Sequence, residues 1–177
     1  VITVRSSPYA VKAFSPASIT AGGISTLTIT PVNTANVAAV GVSVIDTLPA
    51  NVVIATPPTA STTCTGGTVS APAGGSVVTL TGATMNASTT CTIVLNVTSS
   101  VTGSYTNVLP VGAVSSTNLG SSTIPFADTL TVTATTITGD KDVSLYQDNT
   151  NSPNIVNATD VIRYTITFTN TSGSAIT

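Results

Sequence analysis

Ser25-Thr26-Leu27-Thr28-Ile29-Thr30-Pro31-Val32-Asn33-Thr34 reads as a β-strand, because apolar side chains alternate with hydroxyls at a period of two and polar residues close the run. The pattern returns far downstream, where Ile162-Arg163-Tyr164-Thr165-Ile166-Thr167-Phe168-Thr169-Asn170-Thr171 lines up with it position for position. A lysine precedes each copy, in Lys12-Ala13-Phe14 and in Lys141-Asp142-Val143. Before each lysine lies a further short strand, Ile2-Thr3-Val4 in one case and Leu130-Thr131-Val132 in the other. Between lysine and strand the second copy carries an insertion of about eight residues near Asp148–Val156. Self-similarity of this kind marks a repeat architecture.

Working outward, short alternating runs of Val, Ile, Leu and Thr separated by Gly, Pro, Asn and Ser predict strands over most of the chain. They are expected at Ile2–Arg5, Tyr9–Phe14, Ser25–Val32, Val40–Asp46, Val52–Ala55, Thr65–Ser70, Ser76–Leu80, Thr92–Thr98, Gly103–Leu109, Thr129–Thr135, Asp142–Tyr146 and Val161–Asn170. No stretch has a helical period, so the expected class is all-β, an immunoglobulin-like β-sandwich in a tandem array. Residues 1–8 are read as the last strand of a preceding domain or a donated strand. Residues 9–135 are read as one complete sandwich, and residues 136–177 as a linker with the first two strands of a following repeat. Two strands cannot bury a sandwich face. Their partners are expected from further sequence of the same polypeptide or from another subunit, in the latter case by strand addition.

Composition narrows the function. The chain is 6% charged with a net charge of −2, and it has no His, no Trp and no Glu. Its cations are Arg5, Lys12, Lys141 and Arg163, and its carboxylates are six aspartates. General acid–base catalysis draws most often on His and otherwise on tuned carboxylates, so an enzyme is not expected, nor is a cofactor. Four scattered cations cannot neutralise a run of phosphates, which speaks against nucleic acid. No apolar run approaches the roughly 18 residues of a membrane helix, and three Phe with four Tyr are too few for the aromatic girdles of a membrane barrel. The start of the chain lacks the pattern of a secretory leader, and the chain reads as mature and already exported.

Cys64 and Cys91 are the two cysteines. Cys91 opens the alternating run Cys91, Ile93, Leu95, Val97 and so faces the core with three aliphatics. A bridge to Cys64 would close a loop worth about 3–4 kcal/mol by loop entropy. A disulfide is the favoured reading and fits an oxidising location; two buried free thiols are the alternative. Zinc needs more ligands than two cysteines without histidines supply.

Lys12-Ala13-Phe14-Ser15-Pro16-Ala17-Ser18-Ile19, followed by Gly22-Gly23-Ile24-Ser25-Thr26-Leu27-Thr28-Ile29, resembles the opening of DUF11-type conserved repeats of large bacterial surface proteins. Asp46-Thr47-Leu48-Pro49 matches the Asp-Thr-Leu-Pro signature of those repeats, Gly103-Ser104-Tyr105-Thr106-Asn107 resembles their late Tyr-Thr-Asn strand, and the cysteine pair is similar too. Tyr164 to Thr171 resembles the second strand of the same repeat class. The resemblance implies an immunoglobulin-like sandwich in a cell-surface, sheath, filament or adhesin protein, and no particular ligand.

Lys12, Asp46 and Asn107 are candidates for an isopeptide bond, in which a desolvated lysine attacks an asparagine amide while an acid moves protons. The acid in such bonds is commonly Glu, which this chain lacks. The plainer reading gives Lys12 to an edge strand, Asp46 to a turn and Asn107 to a backbone bond. Asp140, Asp142 and Asp148, with Asn149 and Asn151, are weak calcium candidates, since calcium takes about six to eight oxygens but no loop pattern fits. Asn86, Asn96, Asn157 and Asn170 head Asn-x-Ser/Thr sequons and are possible glycosylation sites. Gly22-Gly23, Gly66-Gly67 and Gly74-Gly75 read as turn glycines. The expected function is an extracellular structural repeat of a bacterial surface fibre, sheath, pilus-like filament or layer, with neighbouring copies of itself as partners. The alternative is an adhesin stalk or binding module of a large cell-surface protein.

Overall fold

The computed structural model describes residues 6–149 and 155–170, and no helix occurs among them. The strand expected at Ile2–Arg5 and the calcium candidate Asn151 lie outside the described residues. Residues up to Thr133 form one compact unit and residues from Ala134 another.

In chain order the first unit holds β1 (Tyr9–Ser15), β2 (Ser18–Thr20), β3 (Ile24–Asn33), β4 (Ala39–Thr47), β5 (Val53–Ile54), β6 (Ser61–Thr62) and β7 (Thr68–Ser70). There follow β8 (Val77–Met85), β9 (Thr89–Thr90), β10 (Ile93–Thr98), β11 (Gly103–Leu109), β12 (Val114–Ser116), β13 (Gly120–Ser121) and β14 (Phe126–Thr133). They make three sheets. One runs β1-β3-β10-β5, with β6 also on β10 and β9 also on β3; the second runs β13-β12-β4-β8-β7; the third runs β11-β14-β2.

Alternation explains how these strands bury one face each. In β3 the residues Leu27 and Ile29 are fully buried while Thr26, Thr28 and Thr30 are half-buried. β10 does the same with Ile93, Leu95 and Val97, as its spacing predicts. Facing contributions from Val42 and Val44 of β4, Val78 and Leu80 of β8, Leu109 of β11 and Leu130 and Val132 of β14 complete one continuous core. The gain is about 1.5–3 kcal/mol for each such side chain removed from water.

Two local features lie beyond the simple pattern. The expected strand ending at Leu80 continues to Met85, because its inward phase slips at the exposed pair Thr81-Gly82 and resumes at Ala83 and Met85. Gly82 has φ +74°, the left-handed backbone at which glycine carries a bulge without steric cost. The chain also changes sheets after β1: Pro16 has no N–H for the ladder, and β2 leaves β3 to pair in parallel with β14, Ile19 opposite Val132.

The second unit is a hairpin of β15 (Ile137–Gln147) and β16 (Val161–Asn170). Its side chains are exposed almost throughout, Phe168 at 73%. Lys141 lies over the Tyr164 ring at 4.4 Å and the Arg163 guanidinium over the Tyr146 ring at 3.9 Å, contacts that suit cations on solvent-facing aromatics.

Candidate functional site

Three strands each place a polar residue where alternation calls for an apolar one. On β1 the inward positions are Ala10, Lys12 and Phe14; on β4 they are Val42, Val44 and Asp46; on β11 they are Asn107 and Leu109 beside half-buried Tyr105. These strands belong to three different sheets, and the three side chains meet between them.

Lys12 Nζ donates to Asp46 Oδ1 and Oδ2, both at 2.7 Å, with both side chains fully shielded from solvent. Asn107 Nδ2 donates to the same Asp46 Oδ2 at 3.0 Å. The amine and the amide therefore share one carboxylate oxygen. Asn107 Oδ1 is buried and has no hydrogen-bond partner among the described residues. Turning the amide over would set a carbonyl oxygen against a carboxylate, so the orientation is fixed by its neighbour. Burial holds the Lys12 amine below its ordinary pKa, and the attraction and hydrogen bonds of Asp46, with a smaller attraction from Asp128, offset only part of that. Asp128, on β14 directly opposite Asn107, also accepts from the Phe14 backbone N–H at 2.7 Å and so ties the outer edge of β1 to β14.

A second buried amide shows what ordinary satisfaction looks like. Asn33, at the end of β3, donates to the carbonyls of Val37, Met85 and Asn86, and its Oδ1 accepts from the Ala35 N–H at 3.1 Å. It pins the β3–β4 turn to the end of β8. Asn33 is not among the candidates named from the sequence; the signal that marks it there is its alignment with Asn170.

Cys64 and Cys91 are bonded, with Cα atoms 5.0 Å apart, and join the segment before β7 to the short link between β9 and β10. The remaining candidates are scattered. Asp140 and Asp142 are exposed on β15, and Asp140 Oδ1 accepts from the Lys141 N–H. No group of three or more His, Cys, Asp or Glu side chains among the described residues could hold an ion, so Asp140, Asp142 and Asp148 are not gathered into one cluster. Asp160 instead caps the hairpin turn, accepting from the backbone N–H of Asn149 and of Asn157, each at 2.8 Å. Of the sequons, Asn86 and Asn170 are exposed, whereas Asn96 and Asn157 are half-buried; Asn96 Oδ1 accepts from Thr26. Among the described residues no helix is long and apolar enough to cross a membrane.

Sheets closed by a disulfide around a sealed lysine, aspartate and asparagine define the first unit as an all-β domain with a polar centre. Residues 8–132 match the family DUF7933, described as a domain of unknown function, and the chain belongs to that family. No curated protein matches the chain. Among solved structures it is similar to BslA, a bacterial hydrophobin, at 18% identity and a TM-score of 0.42, over 72% of this chain and 96% of that one. A likeness of that size carries nothing about function.

Proposed function

We propose that the chain is a segment of an extracellular structural protein built from tandem immunoglobulin-like sandwiches, part of a bacterial surface fibre, sheath, filament or layer. One observation carries the reading. All seven cross-strand pairs of β1 with β3 recur in β15 with β16 at the positions the sequence repeat assigns: Lys12 faces Ile29 and Lys141 faces Ile166, Tyr9 faces Val32 and Thr138 faces Thr169, Ser15 faces Thr26 and Ser144 faces Arg163. A chance likeness of two short strands would not preserve their pairing partners, because a one-residue slip moves every side chain to the other face.

On this reading the hairpin is the opening of a second sandwich, and strands from further sequence or from a neighbouring copy cover it. Several features support the rest. Tyr105, near the start of β11, donates its hydroxyl back to the Val101 carbonyl at 2.8 Å, as the tyrosine corner of immunoglobulin-like domains does. The disulfide fits an oxidising, extracellular setting. The DUF11-type resemblance of Lys12–Ile19, Asp46–Pro49 and Gly103–Asn107 points to surface repeats. The sparse set of ionisable groups favours a scaffold over an enzyme, and the partners are further copies of the same fold. Electron microscopy of the native assembly tests the proposal: regular polymers with a repeating bead are expected. Isolated flexible rods would transfer the chain to an adhesin stalk, and single globular particles would end the repeat reading.

A further inference from the structure

Lys12, Asp46 and Asn107 need an explanation that stability does not provide. Burying an ion pair costs so much desolvation that apolar residues of similar volume are often as stabilising or better. A buried amide normally has its oxygen satisfied, as Asn33 does, yet Asn107 Oδ1 has no partner among the described residues. We propose that Lys12 and Asn107 form an intramolecular isopeptide bond, with Asp46 as the proton carrier, joining β1 to β11.

The step balances with the groups present. The Lys12 ammonium passes one proton to the Asp46 carboxylate, with which it is in direct contact at 2.7 Å. The neutral Nζ then forms a bond to Asn107 Cγ. The Cγ–Nδ2 bond breaks, and Nδ2, already hydrogen-bonded to Asp46 Oδ2, leaves as ammonia after gaining one further proton from Nζ through that carboxyl group. Asp46 ends protonated. Nothing is oxidised or reduced, and no co-reactant enters.

Three consequences of the geometry favour the reaction. Burial makes the neutral, nucleophilic amine more accessible than it is in water. The product replaces two buried charges by a neutral amide and a neutral carboxyl, which removes the desolvation cost of the pair. The protonated Asp46 also becomes a hydrogen-bond donor in a pocket whose one buried side-chain oxygen without a partner among the described residues is Asn107 Oδ1. Water is shut out on every side, since Asp46 and Asn107 are both fully buried.

The whole 177-residue chain, reduced and denatured, is weighed intact. The expected mass is one ammonia below that of the sequence, and fragment spectra place the branch between residues 12 and 107. Lys12→Arg and Asn107→Ala are expected to carry their full sequence masses. A full mass in the wild-type chain overturns the proposal. So does a loss of ammonia that persists in Lys12→Arg, which would mark a succinimide at some other asparagine, and so does a loss of water joining Lys12 to Asp46. The wild-type measurement decides even if a variant fails to fold, and it is independent of whether the chain is a tandem repeat.

Discussion

Lys12 faces Ile29 across β1 and β3, and Lys141 faces Ile166 across β15 and β16. In the first pair both residues are buried, Ile29 completely; in the second both are exposed, Ile166 at 58%. The pairing is the same and the surroundings are not. Alternation and cross-strand neighbours are enough to set a register, whereas burial needs the flanking strands, which β10, β4, β8 and β14 supply only in the first unit. Lys141 is thus a surface cation and Lys12 a desolvated amine, although each faces an isoleucine at the matching position of its strand pair.

Replacing the two lysines by methionine should separate them most widely. In an Asn107→Ala background, where Lys12 keeps its charge, Lys12→Met leaves the buried Asp46 carboxylate without its ion-pair partner and is expected to cost about 3–5 kcal/mol in urea unfolding of the first unit. Lys141→Met should change stability by no more than about 0.5 kcal/mol. Equal effects would mean that the hairpin lysine is also enclosed in the isolated chain. Next in size is the disulfide, whose cysteines are 27 residues apart. Changing both to serine should lower the stability of the first unit by about 3–4 kcal/mol while leaving amide exchange in the hairpin unaltered.

A finer probe is the isoleucine pair. Ile29→Val should cost about 0.5–1.5 kcal/mol, as removing one buried methylene does, and Ile166→Val should be silent unless something covers the hairpin. Repeating the second measurement in a longer polypeptide sharpens the comparison, since completion of the sandwich should bring Ile166→Val up to the cost of Ile29→Val.

The smallest effect is a pH dependence, read in Asn107→Ala so that Lys12 stays free to titrate. Its folded pKa lies below the ordinary 10.5 because burial outweighs the attraction of Asp46 on β4 and Asp128 on β14. Between those two pKa values the unfolded chain holds a proton that the folded chain has released, so stability should rise with pH through that window. Lys12→Met should abolish the rise. A fall over the same window would show that the carboxylates dominate.

Much of this was open to inspection in the residues. Gly103–Leu109 and Val161–Asn170 are strands from end to end as predicted, because each is a long uninterrupted alternation bounded by turn residues. β2, β5, β6, β7, β9, β12 and β13 span two or three residues each; β5 and β7 fall within the expected strands Val52–Ala55 and Thr65–Ser70, and the other five have no counterpart, since two or three residues have no measurable period. β8 ran past its expected end because a glycine that reads as a stop is the pivot of a bulge. The three polar residues of the site could be named from strand phase: Lys12 between Ala10 and Phe14, Asp46 after Val42 and Val44, Asn107 before Leu109. Their meeting could not, because phase says which face a side chain takes and nothing of how three sheets are set against one another. The orphaned oxygen of Asn107 is likewise a property of the packed interior alone.

The switch of β2 onto β14 has a mechanical corollary. Where Lys12 is free, as in Asn107→Ala, tension applied between the start of β1 and the end of β14 slides these parallel strands along each other and loads their hydrogen bonds together, among them Ala21 N–H to Thr133 O and Thr131 N–H to Ala17 O, whereas a bond from Lys12 to Asn107 carries the load past β2. An antiparallel ribbon gripped at Ile137 and Asn170, which face each other, is instead peeled one rung at a time. Resistance to pulling is governed by the barrier to the first rupture, and a patch three residue pairs long acts as a clasp that must fail as a whole.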